Sequence, residues 1–296
     1  MKIITPNYYQ QFKCIAADCK HNCCIGWEID VDTDTLAYYQ SFPGDFGLRL
    51  QKSIALDDTP HFILEKQERC PFLNAGNLCD IISTLGEEGL CAICADHPRF
   101  RNEFSNRTEI GLGLCCEAAG RLILGQTEKT KLIEAEPNEE SLLPEEQALL
   151  QLRETIFSIL QDRSFPLQQR LDQINGLCGD AHFKPLSEWV EIYRDLERMD
   201  PAWDLYLDKI KEPSPTRWEP ALEKAAVYFT YRHLAGVLED GLLYERIRFI
   251  ILSVRMLSAL AADAEDFEDL VEIARLYSAE IEYSDQNIDL LLQHLS

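Results

Sequence analysis

The sequence predicts a mainly α protein, in which a cysteine-rich, metal-bound N-terminal region with short strands and helices precedes an α-helical domain. All of the 11 cysteines except Cys178 lie between Cys14 and Cys116, and apolar residues recur at helical spacing in the second half of the chain. No apolar run approaches the roughly 20 residues of a membrane span. We expect a cysteine-rich metal- or iron–sulfur-binding region over 1–125, an acidic linker over 126–146 and an α-helical domain over 147–296.

The helices of the second half are predicted from their first residues and from their apolar stripes. Pro144, Pro185 and Pro220 mark three helix starts, because the first turn of a helix does not use the N–H that proline lacks. Asp240-Gly241 ends the third helix, and two further apolar stripes begin at about 243 and 267. In the N-terminal part, alternation of apolar and polar residues over 27–32 predicts a strand.

The chain carries an acidic excess of 51 Asp and Glu over 28 Lys and Arg, and its formal net charge is −23. Such a surface repels DNA and RNA and attracts a basic protein partner, while the alternative is that the acidity only aids solubility. The first residues contain no apolar segment of a secretory signal, so we expect a cytoplasmic protein that does not bind membranes. The oligomeric state is not indicated.

The cysteines occur in short groups that are typical of metal ligation. An odd number in a reducing compartment argues against a disulfide framework, and thiolates are the soft ligands of zinc and of iron–sulfur clusters. Four thiolates complete a zinc site or a 4Fe-4S cluster, and the sequence does not decide between these two centres. The alternative to any metal centre is a set of unrelated buried thiols. The predicted metal ligands are Cys14, Cys19, Cys23, Cys24, Cys70, Cys79, Cys91, Cys94 and Cys116.

Two residues outside that set need their own interpretation. His97 follows Cys91-x2-Cys94, and it would be a metal ligand or a donor that steadies a thiolate. Cys178 stands alone in an apolar setting and is interpreted as a small core residue.

Several runs of the sequence together form a recognisable pattern: Phe12-Lys13-Cys14, Cys23-Cys24-Ile25-Gly26-Trp27-Glu28-Ile29, Cys70-Pro71-Phe72-Leu73, Leu85-Gly86-Glu87 through Cys94, His97-Pro98-Arg99, Cys115 to Ala119, Tyr228-Phe229-Thr230-Tyr231-Arg232-His233-Leu234, Asp240-Gly241-Leu242-Leu243 and Ser278-Ala279-Glu280-Ile281-Glu282-Tyr283-Ser284. In these runs the sequence resembles the flagellin lysine-N-methylase family of the FliB type, and the run from Cys70 onward also resembles the zinc- or iron-chelating YkgJ-type domain. The resemblance implies methyl transfer to lysine side chains, with flagellin as the partner and S-adenosylmethionine as the methyl donor.

Lysine methylation requires a deprotonated amine that is aligned with the methyl group. Tyr228, Tyr231 and Arg232 are candidate catalytic residues that would line such a pocket together with Tyr244, since tyrosine faces attract a sulfonium or ammonium charge. The alternative is a set of core tyrosines with an internal salt bridge from Arg232 to Glu280 or Glu282. Glu117 is a fourth candidate, as a carboxylate that binds the lysine or as a partner of Arg99 or Arg101.

Two functions therefore stay open. The first is a lysine N-methyltransferase with a cysteine-ligated centre, and the second is a non-catalytic metal-binding or redox-sensing module that docks on a basic protein. No Gly-x-Gly-x-x-Gly follows a predicted strand, so the sequence does not indicate a donor site. The spacing Cys-x3-Cys-x2-Cys of radical enzymes is also absent, which favours a structural or electrophile-orienting centre over a radical source.

Overall fold

A computed structural model describes residues 2–134, 141–179, 182–212 and 217–296, and the chain divides into two compact units. The cysteine unit is Lys13–Arg99, and the helical unit consists of Met1–Phe12 and Phe100–Ser296. These boundaries differ from the predicted ones, because the first strand pairs with strands at 107–112 and 132–134 and thereby joins the helical unit. Of the predicted linker over 126–146, positions 135–140 lie outside the described residues.

The strands and helices are as follows in chain order. The strands are β1 Lys2–Pro6, β2 Ile54–Ala55, β3 His61–Phe62, β4 Arg99–Phe104, β5 Arg107–Leu112 and β6 Leu132–Glu134. The α-helices are α1 Thr33–Ser41, α2 Gly44–Lys52, α3 Asp80–Leu85, α4 Ala92–Asp96, α5 Glu117–Leu124, α6 Pro144–Leu160, α7 Leu167–Gly176, α8 Leu186–Asp195, α9 Trp203–Leu207, α10 Glu219–His233, α11 Val237–Asp240, α12 Leu243–Leu260, α13 Phe267–Tyr277 and α14 Asp285–His294.

The cysteine unit contains short elements around a small apolar core. Its only sheet among the described residues is the two-stranded β2–β3 pair. The strand that was predicted over 27–32 is wrong: Asp30 forms an isolated bridge to His61, because the neighbouring strand β3 offers only two residues to pair with. The buried apolar core consists of Ile29, Val31, Tyr39, Leu50, Ile54, Phe62, Cys70, Phe72, Leu73, Ile81 and Cys91.

The helical unit combines one small sheet with a large helical core. The sheet has the order β4-β5-β1-β6, with β1 parallel to β5 and antiparallel to β6. Helix α10 is buried on nearly all sides and packs against α5, α6, α7 and α12. A helix that is enclosed in this way is the centre of its core, so the run around Tyr228 lies at the middle of this unit.

The predicted helix boundaries are largely confirmed. Pro144 is the first residue of α6, Pro185 immediately precedes α8, and α10 starts at Glu219. The third helix, predicted to run on to Asp240-Gly241, is interrupted: α10 ends at His233 and a 3-10 turn, Leu234–Gly236, separates it from α11. Helix α11 ends before Gly241, whose φ of 72° suits a glycine that terminates a helix. Helix α13 continues into one π-helical turn, Ser278–Glu282, which the apolar stripe did not reveal. Helices α7, α9 and α14 were not predicted.

Two further expectations can be compared with the structure. Cys178 is buried in the core of the helical unit at 5% exposure, which confirms its interpretation as a core residue. Within the described part of the chain, none of the helices combines the length and apolar character that crossing a bilayer requires. The mainly helical class is likewise confirmed, with a small mixed sheet beside the helices.

Candidate functional site

The cysteine unit brings cysteines from three parts of the sequence together through backbone contacts and a shared apolar core. The Cys70 N–H donates to the carbonyl oxygen of Cys24 at 2.9 Å, and Cys79 forms an isolated bridge with Leu73, three residues after Cys70. Cys70 and Cys91 are buried in the core, and Cys24, Cys79 and Cys94 pack against it. Distant parts of the sequence thus place their thiols around one small core.

The Cys91-x2-Cys94 turn is fixed by a single carboxylate. Asp32 caps α1 by accepting from the Thr35 N–H at 3.0 Å, and its other oxygen accepts from the Ala92 N–H at 2.8 Å, at the start of α4. Burial opposes ionisation of Asp32, but these backbone hydrogen bonds outweigh it and lower the carboxyl pKa. Asp32 therefore joins the starts of two helices and holds the turn that presents Cys91 and Cys94.

Six thiols of this unit perturb one another's ionisation. Cys24 donates a hydrogen bond to Cys23 and lowers the pKa of that thiol to about 7, and a hydrogen bond from Cys94 lowers the pKa of Cys91. Burial raises the pKa of Cys70 to about 11. The charges of Cys70 and Cys79 act on Cys24, and those of Cys24 and Cys70 act on Cys94. The six thiols therefore form one group, named here the thiol cluster: Cys23, Cys24, Cys70, Cys79, Cys91 and Cys94.

The remaining predicted ligands lie elsewhere. Cys14 accepts from the Ala16 N–H at 3.4 Å and Cys19 donates to the carbonyl of His21 at 3.2 Å, while Cys116 belongs to the helical unit and precedes α5. All eleven cysteines are free thiols. Across the described ranges, no three His, Cys, Asp or Glu side chains are arranged as a metal site. The thiol cluster is thus a sulfur donor set without a preformed coordination geometry.

His97 lies beside an aromatic ring in the same unit. Its ring centroid is 6.2 Å from that of Trp27, and burial lowers the pKa of the imidazole to about 4. A neutral imidazole fits either of its predicted roles, because both metal ligation and donation to a thiolate use the neutral form.

The helical unit contains a second polar group, which is centred on a carboxylate with no exposed surface. Glu282 accepts from the Tyr228 hydroxyl at 2.8 Å and from His233 Nε2 at 2.5 Å, and Arg232 Nε lies 3.4 Å from Glu282 Oε1. Arg232 also donates to the Tyr228 hydroxyl at 2.9 Å. The expected salt bridge from Arg232 is therefore formed with Glu282, whereas Glu280 pairs with Arg198 at 2.8 Å. We call these four residues the Glu282 network.

The charges of the Glu282 network compensate one another. Burial opposes ionisation of Glu282, but Arg232 and His233 outweigh it, so the carboxyl pKa is lowered. Burial also lowers the pKa of His233, and the hydrogen bond to Glu282 offsets this only in part. At neutral pH the network consequently holds an anionic Glu282, a cationic Arg232 and a neutral His233 that donates its Nε2 proton to the carboxylate.

One end of the Glu282 network reaches an exposed aromatic side chain. The guanidinium carbon of Arg232 is 4.9 Å from the ring centroid of Tyr283 and 5.1 Å from that of Phe100. Tyr283 is 43% exposed, and its hydroxyl shares a hydrogen bond with the Cys115 thiol, whose pKa burial raises to about 12. A neutral thiol and a largely buried guanidinium therefore lie against an aromatic ring that is partly exposed to solvent.

Two further predicted catalytic residues are buried like Tyr228 but lie outside the Glu282 network. The Tyr231 hydroxyl is 3.2 Å from the Ile4 carbonyl oxygen, and its ring lies beside Phe100 at 5.7 Å. Glu117 is buried in α5 and pairs with Arg121 at 3.4 Å. The structure thus brings Tyr228 and Arg232 together, and it gives Tyr231 and Glu117 separate partners.

Sequence reasoning named Glu282 only as a possible partner of Arg232, and it missed His233. Both residues belong to runs that carry the family resemblance, yet no spacing connects His233 to a partner. A useful signal was the acidic pair Glu280 and Glu282 at the end of an apolar helical stripe, because buried acids require compensating charges. The π-helical turn then directs both carboxylates inward, where each meets an arginine.

Similar proteins are found among enzymes that methylate lysine. Two lysine-N-methylases, from Salmonella choleraesuis (strain SC-B67) and Salmonella typhimurium (strain LT2), are each 31% identical to the chain over 175 residues, which is 51% of this chain and 42% of theirs. The flagellar biosynthetic protein FliU of Salmonella muenchen is 29% identical over 140 residues, 42% of this chain and 79% of that protein. The chain is thus similar to lysine-N-methylases over about half of its length.

The sequence similarity covers only part of each protein. The chain spans less than half the length of the two lysine-N-methylases that it matches. No family model and no solved structure matches the chain. The resemblance to the chelating YkgJ-type domain therefore stays a prediction.

Proposed function

We propose that this protein is a lysine N-methyltransferase that acts on flagellin. The observation that carries the proposal is the relationship to lysine-N-methylases over half of the chain. The name of the third relative, a flagellar biosynthetic protein, supports a flagellar substrate. The net charge of −23 supports a partner with exposed lysines, because opposite charge steers such a partner towards the surface.

The proposed reaction transfers a methyl group without any change of oxidation state in the protein. The substrate lysine first loses a proton, and its Nζ lone pair then forms a bond to the methyl carbon of the donor, S-adenosylmethionine. The carbon–sulfur bond breaks, its electron pair stays on sulfur, and the positive charge passes from sulfur to the methylated amine. The products are methyl-lysine and S-adenosylhomocysteine, and no oxidant or reductant is required.

We assign the acceptor lysine to the exposed end of the Glu282 network. The half-exposed ring of Tyr283 would hold the aliphatic part of the lysine side chain. Arg232 places a positive charge beside that ring, which disfavours the ammonium form and so favours the reactive neutral amine. Tyr228 and Glu282 would hold Arg232 in position through the hydrogen bond and ion pair described above. Catalytic roles for Tyr231 and Glu117 stay predictions outside this assignment.

A matched pair of tyrosines tests the acceptor site. Tyr283 and Tyr244 are both exposed tyrosines of the helical unit, at 43% and 51%, but only Tyr283 adjoins Arg232. We expect Tyr283→Ala to lower kcat/KM for flagellin about tenfold through lost alignment, and Tyr244→Ala to leave it unchanged. Equal effects of the two substitutions would remove Tyr283 from the acceptor site.

We further propose that the cysteine unit holds a metal centre, either zinc or a 4Fe-4S cluster, through four members of the thiol cluster. The donor set supports this, because all six side chains are free thiols, five of them lie in or against one core, and sulfur is the preferred ligand of both groups. When bound, the centre would supply folding energy to a unit with short elements. Metal and sulfide analysis with an absorption spectrum of anaerobically purified protein distinguishes the two.

The activity is tested with purified, metal-replete protein, S-adenosylmethionine and unassembled flagellin. We expect the apparent KM for flagellin to rise with salt, since the Debye length falls from about 10 Å at 0.1 M to about 3 Å at 1 M. The rate should rise from about pH 7 to pH 9, below the free lysine pKa of about 10.4, because only the neutral amine reacts. A metal-replete protein that binds flagellin and transfers no methyl group would instead support the non-catalytic docking module.

A further inference from the structure

One phenylalanine contacts all three predicted catalytic residues of α10. Tyr228, Tyr231 and Arg232 lie on one face of that helix, because residues three and four positions apart are neighbours on a helix surface. The ring centroid of Phe100, in β4, lies 6.1 Å from that of Tyr228 and 5.7 Å from that of Tyr231. The guanidinium carbon of Arg232 lies over the same ring, 5.1 Å from its centroid. The Phe100 ring therefore packs against this face of α10 from the side of the sheet.

A glycine in the neighbouring strand leaves the space that this ring occupies. Gly111 is a buried residue of β5. A Cβ atom on Gly111 would lie 2.2 Å from Cζ and 2.5 Å from Cε1 of Phe100, far inside van der Waals contact. Glycine inside a strand often marks such a close approach. Any larger residue at position 111 would therefore displace the Phe100 ring.

Arg232 lies over a second ring as well, and that ring belongs to the proposed acceptor site. Its guanidinium carbon is 4.9 Å from the centroid of Tyr283, and a guanidinium is attracted to the face of an aromatic ring. Phe100 is the ring on the sheet side of Arg232. A displaced or missing Phe100 ring would therefore change the position of the positive charge beside Tyr283.

We propose that Phe100 and Gly111 are positioning residues for methyl transfer: Gly111 makes room for the Phe100 ring, and that ring holds the Arg232 guanidinium beside the acceptor lysine at Tyr283. This inference rests on the proposed function, in which the charge of Arg232 favours the neutral, reactive amine. That effect weakens with distance, because the interaction energy of two charges falls as their separation grows. Moving Arg232 away from the acceptor therefore raises the pKa of the lysine and leaves less of it reactive near neutral pH.

The titratable groups that face Arg232 keep their charge where the lysine changes its own. These groups are Tyr228, Tyr283, Cys115, Glu282 and, through Glu282, His233. Burial raises the pKa of both tyrosines above its usual range and that of the Cys115 thiol to about 12, so these three stay neutral. The lowered pKa of Glu282 keeps it anionic, and the lowered pKa of His233 keeps it neutral. From about pH 7 to pH 9 the rate therefore reports the lysine.

Three variants test the positioning role. Phe100→Leu removes Cζ and both Cε atoms, Gly111→Ala displaces them, and the double variant adds the methyl group where these atoms are absent. Phe157→Leu is the matched control. The Phe157 ring also contacts a buried arginine, since the guanidinium carbon of Arg153 lies 5.9 Å from its centroid, but Arg153 is outside the Glu282 network. Thermal melting shows whether each variant remains folded.

The first measurement is the pH dependence of kcat for flagellin, which reports ionisation in the bound complex. In Phe100→Leu and in Gly111→Ala we expect the midpoint of the rise to move up by about half a pH unit, or about threefold in kcat near pH 7. The double variant should shift no further than Phe100→Leu, because both changes act through one ring. Phe157→Leu should keep the wild-type midpoint. A variant that is only destabilised would lose rate at every pH and keep its midpoint.

The second measurement does not depend on activity. It is the Nε–H proton signal of Arg232 in the nuclear magnetic resonance spectrum of arginine-labelled protein, assigned by its absence in Arg232→Lys. Aromatic rings shift the signals of protons near their faces. We expect this signal to move in Phe100→Leu and Gly111→Ala and to stay in place in Phe157→Leu.

The outcomes separate this proposal from the proposed function. If wild-type protein methylates flagellin and every variant shares its midpoint, the positioning role is overturned while the methyltransferase proposal stands. If wild-type protein transfers no methyl group, the proposed function fails and the Arg232 signal decides alone. An unmoved signal then overturns the placement of Arg232 by Phe100 and Gly111, and a signal that moves in both variants supports that placement.

Discussion

The cysteine unit and the helical unit differ in what stabilises each of them. The longest helices of the cysteine unit have 9 residues, whereas the helical unit contains helices of 15, 17 and 18 residues. The core of the cysteine unit includes cysteines, and the core of the helical unit encloses charged groups such as Glu109 with Arg153 and Glu223 with Arg170. Short elements bury little apolar area, so we expect the proposed metal centre to add stability to the first unit, whereas the long helices of the second unit bury a large apolar core around paired charges.

The largest effect that this comparison predicts follows metal removal. Structural zinc contributes roughly 10 kcal/mol to the folding of small metal-bound domains. We expect amides of α1 to α4 in metal-depleted protein to lose hydrogen-exchange protection, and amides of α10 and α12 to keep theirs. Exchange mass spectrometry of replete and depleted protein measures both. Unchanged protection in α1 to α4 would show that the cysteine unit is stable without a metal.

The next largest effect concerns the Glu282 network. Replacing Glu282 by Gln leaves Arg232 buried without its anion, and breaking a buried pair typically costs about 3–5 kcal/mol. We expect a loss of this size in the free energy of unfolding from urea titration of the metal-replete protein. Asp263→Asn is the control, because its pair with Lys211 is exposed, at 59% for both side chains, and should cost below about 1 kcal/mol. Equal losses would contradict a buried, compensated charge at Glu282.

A smaller effect of the same network depends on pH. Burial depresses the pKa of His233 in the folded state below its ordinary 6.5, and the unfolded chain therefore takes up a proton first as the pH falls. We expect the stability of the helical unit to decline below about pH 6.5, with a further decline below about pH 4.5 from the lowered pKa of Glu282. Urea titrations at a series of pH values measure this. A His233→Gln variant should lose the first decline and keep the second.

Most of the helical architecture follows from local signals, whereas the sites do not. Pro144 and Gly241 fix a helix start and a helix end through their own backbone preferences, so a single residue suffices to predict each. The pairing of β1 with β5 brings together residues about a hundred positions apart, and no local pattern specifies it. The Glu282 network likewise requires α10 to lie beside the π-helical turn, so Tyr228 and Arg232 were foreseeable while their partner His233 was not.

The smallest change in the free energy of unfolding is expected at a cysteine of the helical core, in contrast to the cysteines that are proposed to bind metal. Cys178 is a core residue, so Cys178→Ala should cost on the order of 1 kcal/mol and leave the metal content unchanged. Cys70→Ser should instead lose metal and reduce solubility, because a hard oxygen replaces a soft sulfur, and the same is expected for Cys79 and Cys94. Cys19 was also predicted as a ligand, but it lies outside the thiol cluster. Metal analysis of the purified variants makes the comparison. A Cys178 variant without metal would contradict this division.

The central claim is lysine methylation, and mass spectrometry of flagellin co-expressed with this protein tests it most directly. Flagellin expressed alone is the reference, and metal analysis establishes that the co-expressed protein is loaded. We expect peptides of flagellin that contain lysine to gain mass in steps of one methyl group only in the co-expressed sample. Unmodified lysines beside a loaded, folded protein would contradict the claim for this substrate.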